Sequence, residues 1–470
     1  NRRRSRLGWN QPRTMDGDMK MLVLACAMLG LVGAGPARPP QQPRGEFAFV
    51  DVNVVPMDRD RVLEHQTVLV RAGRIVAVGP TASVKVPGSA TRIDGAGKYL
   101  IPGLGEMHAH IDPRPDQTAL NDRILSLFAL TGVTTVRGML GAPQHLPLRD
   151  KANRGEILSP RIYTTGPSLN GTSVPTVAAA IKAVTEQKAA GYDLMKIHPG
   201  IKREVFDSLA ATAQRLHIRF AGHVPLDVGV RRAIAARYWS IDHVDGFLEG
   251  LAGMGPFTLE EDGFFGSGLV DKADFSKLPA LAQAAKANGV WIVPTETLME
   301  SLGSDLTAEQ LMAWPEMKYW PTEGLDTWAK QTVSMRSQLV PAVRAKFVAA
   351  RRRLIKGLYD ADVKFILGSD APQVWNVPGF SARRELELLV AAGLTPYQAL
   401  EIGTKNVADF FGTLKDGGTI EAGKRADLVL LDRNPLTDIK AVWDQSGVML
   451  AGRWLDRAEI DQKLGALATQ

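Results

Sequence analysis

Between residues 102 and 412 the chain alternates short apolar runs with amphipathic stretches of helical period, and this alternation narrows its possible folds more than any other feature. Runs at 104–110, 133–138, 161–166, 192–197, 218–223, 238–244, 290–295 and 363–369 read as strands. Helical patterns at 176–190, 203–217, 276–288 and 341–359 lie between them, and 381–392 and 396–411 follow the last. Strands separated by helices pair in parallel, and eight such units fit a closed (β/α)8 TIM barrel better than an open sheet. Strand signals also flank this middle. They occur at 47–55 and 67–78, with a hairpin turn at Ala72-Gly73, and again at 426–431 and 448–455. The expected organisation is α/β: a barrel over 102–412, a small β-sandwich built from both chain ends (46–101 and 413–470), and a leader with linker over 1–45.

Composition matters mainly through where the charge sits. The chain carries a net charge of +6, and eight Arg and Lys against two Asp in residues 1–45 account for all of it. The remainder is formally neutral and gives no support for nucleic-acid binding. Residues 19–37 read as a cleavable secretory signal: Lys20, an apolar run from Met21 to Val32, then Gly33-Ala-Gly-Pro-Ala37. The run is too short for a stable membrane span. A periplasmic or secreted enzyme is expected, with lipid attachment at Cys26, the single cysteine, as the lesser alternative. Cleavage near Ala37 leaves no cysteine, which removes disulfides and thiol catalysis from consideration.

The chemistry concentrates at the predicted strand ends. In Pro102-Gly-Leu-Gly-Glu-Met-His108-Ala-His110 the two-residue period of a strand puts His108 and His110 on one face, where they can share a metal ion. Barrel enzymes place functional groups at the carboxyl ends of their strands. Those ends add Lys196, His223, His243 and Asp370. His198, two residues after Lys196, is a candidate to face the same site. A lysine at a barrel rim ordinarily reaches for solvent. The functional alternative is a carbamate formed with carbon dioxide, which turns a cation into an anion able to bridge two metals.

These segments together resemble the amidohydrolase superfamily, in its binuclear carboxylated-lysine branch related to imidazolonepropionase-like hydrolases and zinc dipeptidases. The resemblance rests on the His108/His110 segment, Gly191-Tyr-Asp-Leu-Met-Lys-Ile197, Gly222-His-Val-Pro225, Ile241-Asp-His-Val244 and Leu367-Gly-Ser-Asp-Ala-Pro372. Gly393-Leu-Thr-Pro-Tyr-Gln-Ala-Leu400 and Gly418-Thr-Ile-Glu-Ala-Gly-Lys-Arg-Ala-Asp-Leu-Val429 extend it. It implies two divalent ions, zinc first among them. His108, His110 and Asp370 would hold one, His223 and His243 the other, with carboxylated Lys196 between them. It also implies hydrolysis of a C–N bond in an amide, cyclic amide or peptide-like small molecule by a metal-bridging hydroxide, with Asp370 as the catalytic proton carrier. A lactone or phosphotriester hydrolase, or a homologue that binds without turnover, would use the same frame. The complete ligand set favours catalysis.

Substrate contacts are less constrained. The run His223-Val-Pro-Leu and the loop Gly166-Pro-Ser-Leu-Asn-Gly-Thr172 depart from the dipeptidase pattern. Arg137 and Arg161 are candidates for a substrate carboxylate, with a structural role equally open. Residues 297–339 form an unusually long connection containing Trp314, Trp320 and Trp328, and Trp375 follows strand eight. Trp320 and Trp375 are the expected aromatic contacts. The expected partner is a small-molecule substrate, and a homo-oligomer is compatible with the sequence.

Overall fold

A computed structural model describes residues 45–468. The leader, Cys26 and the proposed cleavage region lie outside the described residues. Five strands come first: β1 Phe47–Val54, β2 Leu63–Arg71, β3 Arg74–Pro80, β4 Thr91–Asp94 and β5 Tyr99–Pro102. Ala72 and Gly73 join β2 to β3 with positive φ (50° and 80°), the geometry of a tight two-residue hairpin. Eight more strands follow in the middle of the chain. They are β6 Leu104–Ala109, β7 Val133–Gly138, β8 Arg161–Thr164, β9 Met195–Ile197, β10 Phe220–Gly222, β11 Ser240–Asp242, β12 Trp291–Val293 and β13 Lys364–Phe365. The last three are β14 Leu428–Leu431, β15 Gln445–Leu450 and β16 Arg453–Asp456.

The two chain ends do meet, in one mixed sheet of order β16-β15-β14-β5-β1-β2-β3. One edge of β1 is shared, with β4 beside Phe47–Val50 and β5 beside Asn53 and Val54. Where the pattern suggested two facing sheets, the hydrogen bonds are continuous. Val68 and Val70 of β2 nevertheless share one buried cluster with Leu428 and Leu430 of β14, so the sheet curls over a common core. A final helix, Arg457–Leu467, leaves this sheet, and Leu467 O accepts a bond from Arg123 of the helix Thr118–Leu130.

The middle strands are all parallel to their neighbours, in a three-stranded sheet β6-β7-β8 and a five-stranded sheet β9 to β13. Parallel bridges join Thr165 to Leu194 and Ala109 to Ala371, and Met107 N donates to Leu367 O at 2.8 Å. All six residues of β6 are buried, as expected for a parallel strand covered on both faces. Local signals mark the helices between strands. Thr176 caps the helix Val177–Ala190 by accepting from Ala179 N, and Gly191 ends it at φ 84°. Among the described residues no helix is long and apolar enough to cross a membrane.

Candidate metal centre and its cleft

Parallel strands align their carboxyl ends, and six of the expected residues come together there. His108 and His110 sit at the end of β6. Asp370 presents Oδ1 3.1 Å from His110 Nε2 and 3.5 Å from His108 Nε2. No aligned hydrogen bond reaches that buried oxygen. Lys196, fully buried on β9, places Nζ 2.8 Å from His108 Nε2. The ring of His243 lies 4.5 Å from those of both His108 and His223, and His198 lies 5.0 Å from His223. The strand-to-loop turns are sharp. His243, Thr295 and Asp370 have φ of 65°, 56° and 66°, a left-handed conformation that non-glycine residues adopt at a cost.

Three of the four imidazoles have a polar group behind them, which for His108 is a close approach without an aligned hydrogen bond. His108 Nδ1 stands 2.8 Å from Asp242 Oδ2. His223 Nδ1 faces Asp245 Oδ2 at 3.2 Å, and His243 Nδ1 faces Thr295 Oγ1 at 2.9 Å. Such contacts fix the ring and leave the opposite nitrogen available, and His243 Nε2 is buried without a protein partner. Burial drives His108, His223 and His243 well below the ordinary histidine range and His110 to about 3, so all four are neutral donors. His198 is lowered for the same reason, to about 2. Burial also raises Asp370 to about 8 and lowers Lys196 to about 8. Converging neutral imidazoles, a carboxylate oxygen lacking an aligned donor, and an orphaned ring nitrogen fit a divalent metal. His108, His110 and Asp370 alone bring three ligand atoms within 4.8 Å of one another.

Two arginines do different work from a substrate contact. Arg137 is fully buried beneath the histidines. Its Nη2 donates to both oxygens of Asp242 at 3.1 Å, Nη1 to Ser240 Oγ at 2.9 Å, and Nε to Met107 O at 2.5 Å. All its donor nitrogens are engaged among the parallel strands, so it supports Asp242, which stands beside His108. Arg161 begins β8, at the opposite strand end, and reaches Asp416 at 3.4 Å. Trp375 is likewise buried, with Nε1 donating to Thr332 Oγ1 at 2.8 Å. Trp320 instead lines a cleft of about 790 Å³ beside His110 and Gln373.

Several contributors escaped the sequence reading. Asp242 shares the inward face of β11 with Ser240, a placement that strand alternation does specify. Glu106 accepts bonds from His108 N (3.0 Å) and Ser369 N (2.8 Å), tying β6 to the Asp370 loop. Phe265 lies 5.4 Å from the His243 ring and 5.9 Å from that of His223, an apolar neighbour on that side of the site. It comes from a long loop that carries no periodic signal.

Comparison with known proteins places this geometry. A model described as "Amidohydrolase family" matches residues 99–455. The imidazolonepropionase of Paracoccus denitrificans (strain Pd 1222) is 26% identical over 393 residues, spanning 80% of this chain and 90% of that protein. A solved Xaa-Pro dipeptidase with methionine bound in its active site is similar with a TM-score of 0.65 at 19% identity, over 87% of this chain and 100% of the other. Bottromycin amidohydrolase gives a TM-score of 0.67 at 23% identity over 91% of each chain.

Proposed function

The chain belongs to the amidohydrolase family and is an enzyme acting on C–N bonds, and from that premise we propose that it is a metal-dependent hydrolase of amides, cyclic amides or peptide-like small molecules. The observation that carries this reading is the convergence of His108, His110 and Asp370 beside buried Lys196. We read the eight parallel strands as a closed (β/α)8 barrel with the site at its carboxyl end.

His108, His110 and Asp370 would hold one ion, zinc being suited to this donor set, and His223 with His243 a second. Lys196 Nζ stands beside His108, and its charge is felt by His110, His223 and His243 as well. With its pKa lowered to about 8, a useful fraction is free amine near neutral pH, the form that condenses with carbon dioxide to a carbamate. When bound, the ions supply Lewis acidity toward water and the scissile carbonyl. The remaining work falls to the protein. Asp370 Oδ1 is directed at the two histidines, which leaves Oδ2 to accept the proton of the attacking water and pass it to the departing nitrogen. One water is consumed, the C–N bond breaks, the acyl carbon gains the hydroxyl and the amine gains the proton. Thr295, Asp245 and the Asp242–Arg137 pair hold the imidazoles in orientation, and Phe265 keeps water from one flank. The leader-like residues 19–37 support export of the enzyme from the cytoplasm.

The test is metal content together with a hydrolysis screen. Protein purified with zinc and bicarbonate should carry close to two ions per chain and hydrolyse members of an amide panel, with activity lost to chelation. Lys196→Ala should lose occupancy and turnover together. Full occupancy with wild-type turnover in that variant would sink the carbamate.

A further inference from the structure

Two walls of the cleft beside His110 stand out from a lining that also includes Glu323, Thr327, Gln331 and Gln373. One is indole. Trp320 and Trp328 are parallel, 5.1 Å apart with an 11° interplanar angle, and both line the cleft. Gly324 lies so close under Trp320 that a Cβ there would fall 2.5 Å from Nε1, so the backbone seats the indole. Trp328 also meets buried Trp375 edge-on at 6.1 Å, which connects the stack to the loop after Asp370. Leu120 extends this apolar surface.

The other wall is a cation. Arg123, half-buried on the helix Thr118–Leu130, lines the same cleft. Its Nη1 donates to Tyr319 O at 2.9 Å and Leu467 O at 2.5 Å. Both are neutral carbonyls, and among the described residues no carboxylate pairs with it. Among the described residues, desolvation is what shifts its pKa, lowering it. The other arginine of the cleft, Arg114, is already paired with Asp112 at 2.7 Å. A partly desolvated guanidinium satisfied only by carbonyls gains most from an anion that offers a charged acceptor to its remaining N–H groups.

We propose that this cleft is the enzyme's selectivity subsite, and that it takes an amide whose departing or acyl half carries a bulky apolar group next to a carboxylate. The apolar group packs on Trp320 and Trp328, and the carboxylate meets Arg123. This rests on the hydrolase reading for its biological meaning, yet it makes a claim about binding that stands apart from turnover.

The experiment therefore measures binding to the full-length, metal-free protein by calorimetry and tryptophan fluorescence, with three probes. N-acetyl-L-phenylalanine has both features, N-acetylphenethylamine lacks the carboxylate, and N-acetylglycine lacks the ring. N-acetyl-L-phenylalanine should bind roughly 10–100-fold more tightly than the uncharged probe, and about tenfold more tightly than N-acetylglycine. Arg123→Met should remove the first advantage and keep the second, Arg123→Lys should restore part of it, and Trp320→Leu should remove only the second. Equal affinities for the three probes, no binding of any, or an Arg123→Met variant that weakens all three alike would overturn the subsite. If the binding pattern holds while the metal-loaded enzyme hydrolyses no amide, the subsite stands and the hydrolase reading falls. Hydrolysis that ignores both features would do the reverse.

Discussion

The strand ends and the insertion at 296–340 meet at one cleft, yet they are held in opposite ways. Behind the strand ends, His108, His223 and His243 each stand against a buried polar group. Asp242 and Arg137 stand behind His108, Thr295 behind His243, Asp245 behind His223, and Glu106 ties the His108 and Ser369 backbones together. The insertion has such support most densely at its root, where Glu385 accepts from Glu296 N and Thr297 N, and Arg351 pairs with Glu296 at 2.6 Å. Further out, scattered polar contacts such as Arg384 with Glu316 and Trp375 with Thr332 are joined by ring packing: Trp320 on Trp328, Tyr319 on Phe380 and Arg384 over Trp314. Val333, near its far end, is 72% exposed. Directional bonds in a buried setting fix atoms to fractions of an ångström, and stacking tolerates small displacements. The difference assigns chemistry to the strand ends and choice of substrate to the insertion. Changes at the first should strike kcat or metal affinity, and changes at the second should strike KM.

The largest expected break in that contrast is at Asp370. Asp370→Asn keeps size and one oxygen ligand but cannot carry the proton. Its kcat should fall by roughly 10²–10⁴-fold with KM and folding little changed. An unchanged kcat would assign the proton to another group and remove the main support for placing the chemistry here.

The same contrast explains what was legible in the sequence. Strand alternation and the rule that function sits at strand ends pick out His108, His110, Lys196, His223 and His243 from residue types, because each lies within a residue of a strand's end, while Asp370 stands five residues past Phe365, where β13 closes earlier than the apolar run 363–369 suggests. Arg137 also lies at a strand's end, but the long side chain is buried and pairs with Asp242 of β11. Residue type does not reveal that direction. Arg161 opens its strand, so its Cα starts at the far face. The β-rich ends were legible as strands, while the continuity of their sheet depends on β1 sharing one edge between β4 and β5, a pairing with no local signature. Trp320 and Trp375 are alike in sequence, and only packing separates the cleft wall from the buried one.

Thr295 gives a second, smaller test. Thr295→Val preserves shape and β-branching and deletes the acceptor that orients His243 Nδ1. Loss of such an orienting partner should weaken metal binding by roughly 10–100-fold. Chelator competition measures it, and the three-probe preference of the cleft should be unmoved. A variant that holds metal as tightly as the wild type would show that packing alone fixes His243, and the strand ends would then resemble the insertion.

The smallest effect sharpens the comparison through pH, because each region hides a buried carboxyl. Burial raises Glu106, behind the strand ends, to about 7, and Glu385, at the root of the insertion, to about 8. Both exceed the unfolded value near 4.5. The folded protein therefore binds these protons more tightly than the unfolded chain. The stability they contribute is fully present below the unfolded value and is lost as pH rises through the folded one. In metal-free protein this contribution to Tm should decline between about pH 5 and about pH 8, opposed below about pH 6.5 by the buried neutral histidines, so each variant is read as a difference from the wild type at the same pH. Glutamine is the isostere of the protonated acid and does not titrate. Glu106→Gln should flatten the decline up to about pH 7, while Glu385→Gln should flatten it up to about pH 8, whatever each does to the absolute Tm. Added metal should leave the Glu385 contribution in place, since that carboxyl touches only Glu296, Thr297 and their surroundings. Identical slopes in the wild type and both variants would show that neither carboxyl keeps its proton in the folded state. The insertion's root would then be no more pH-sensitive than its exposed tip.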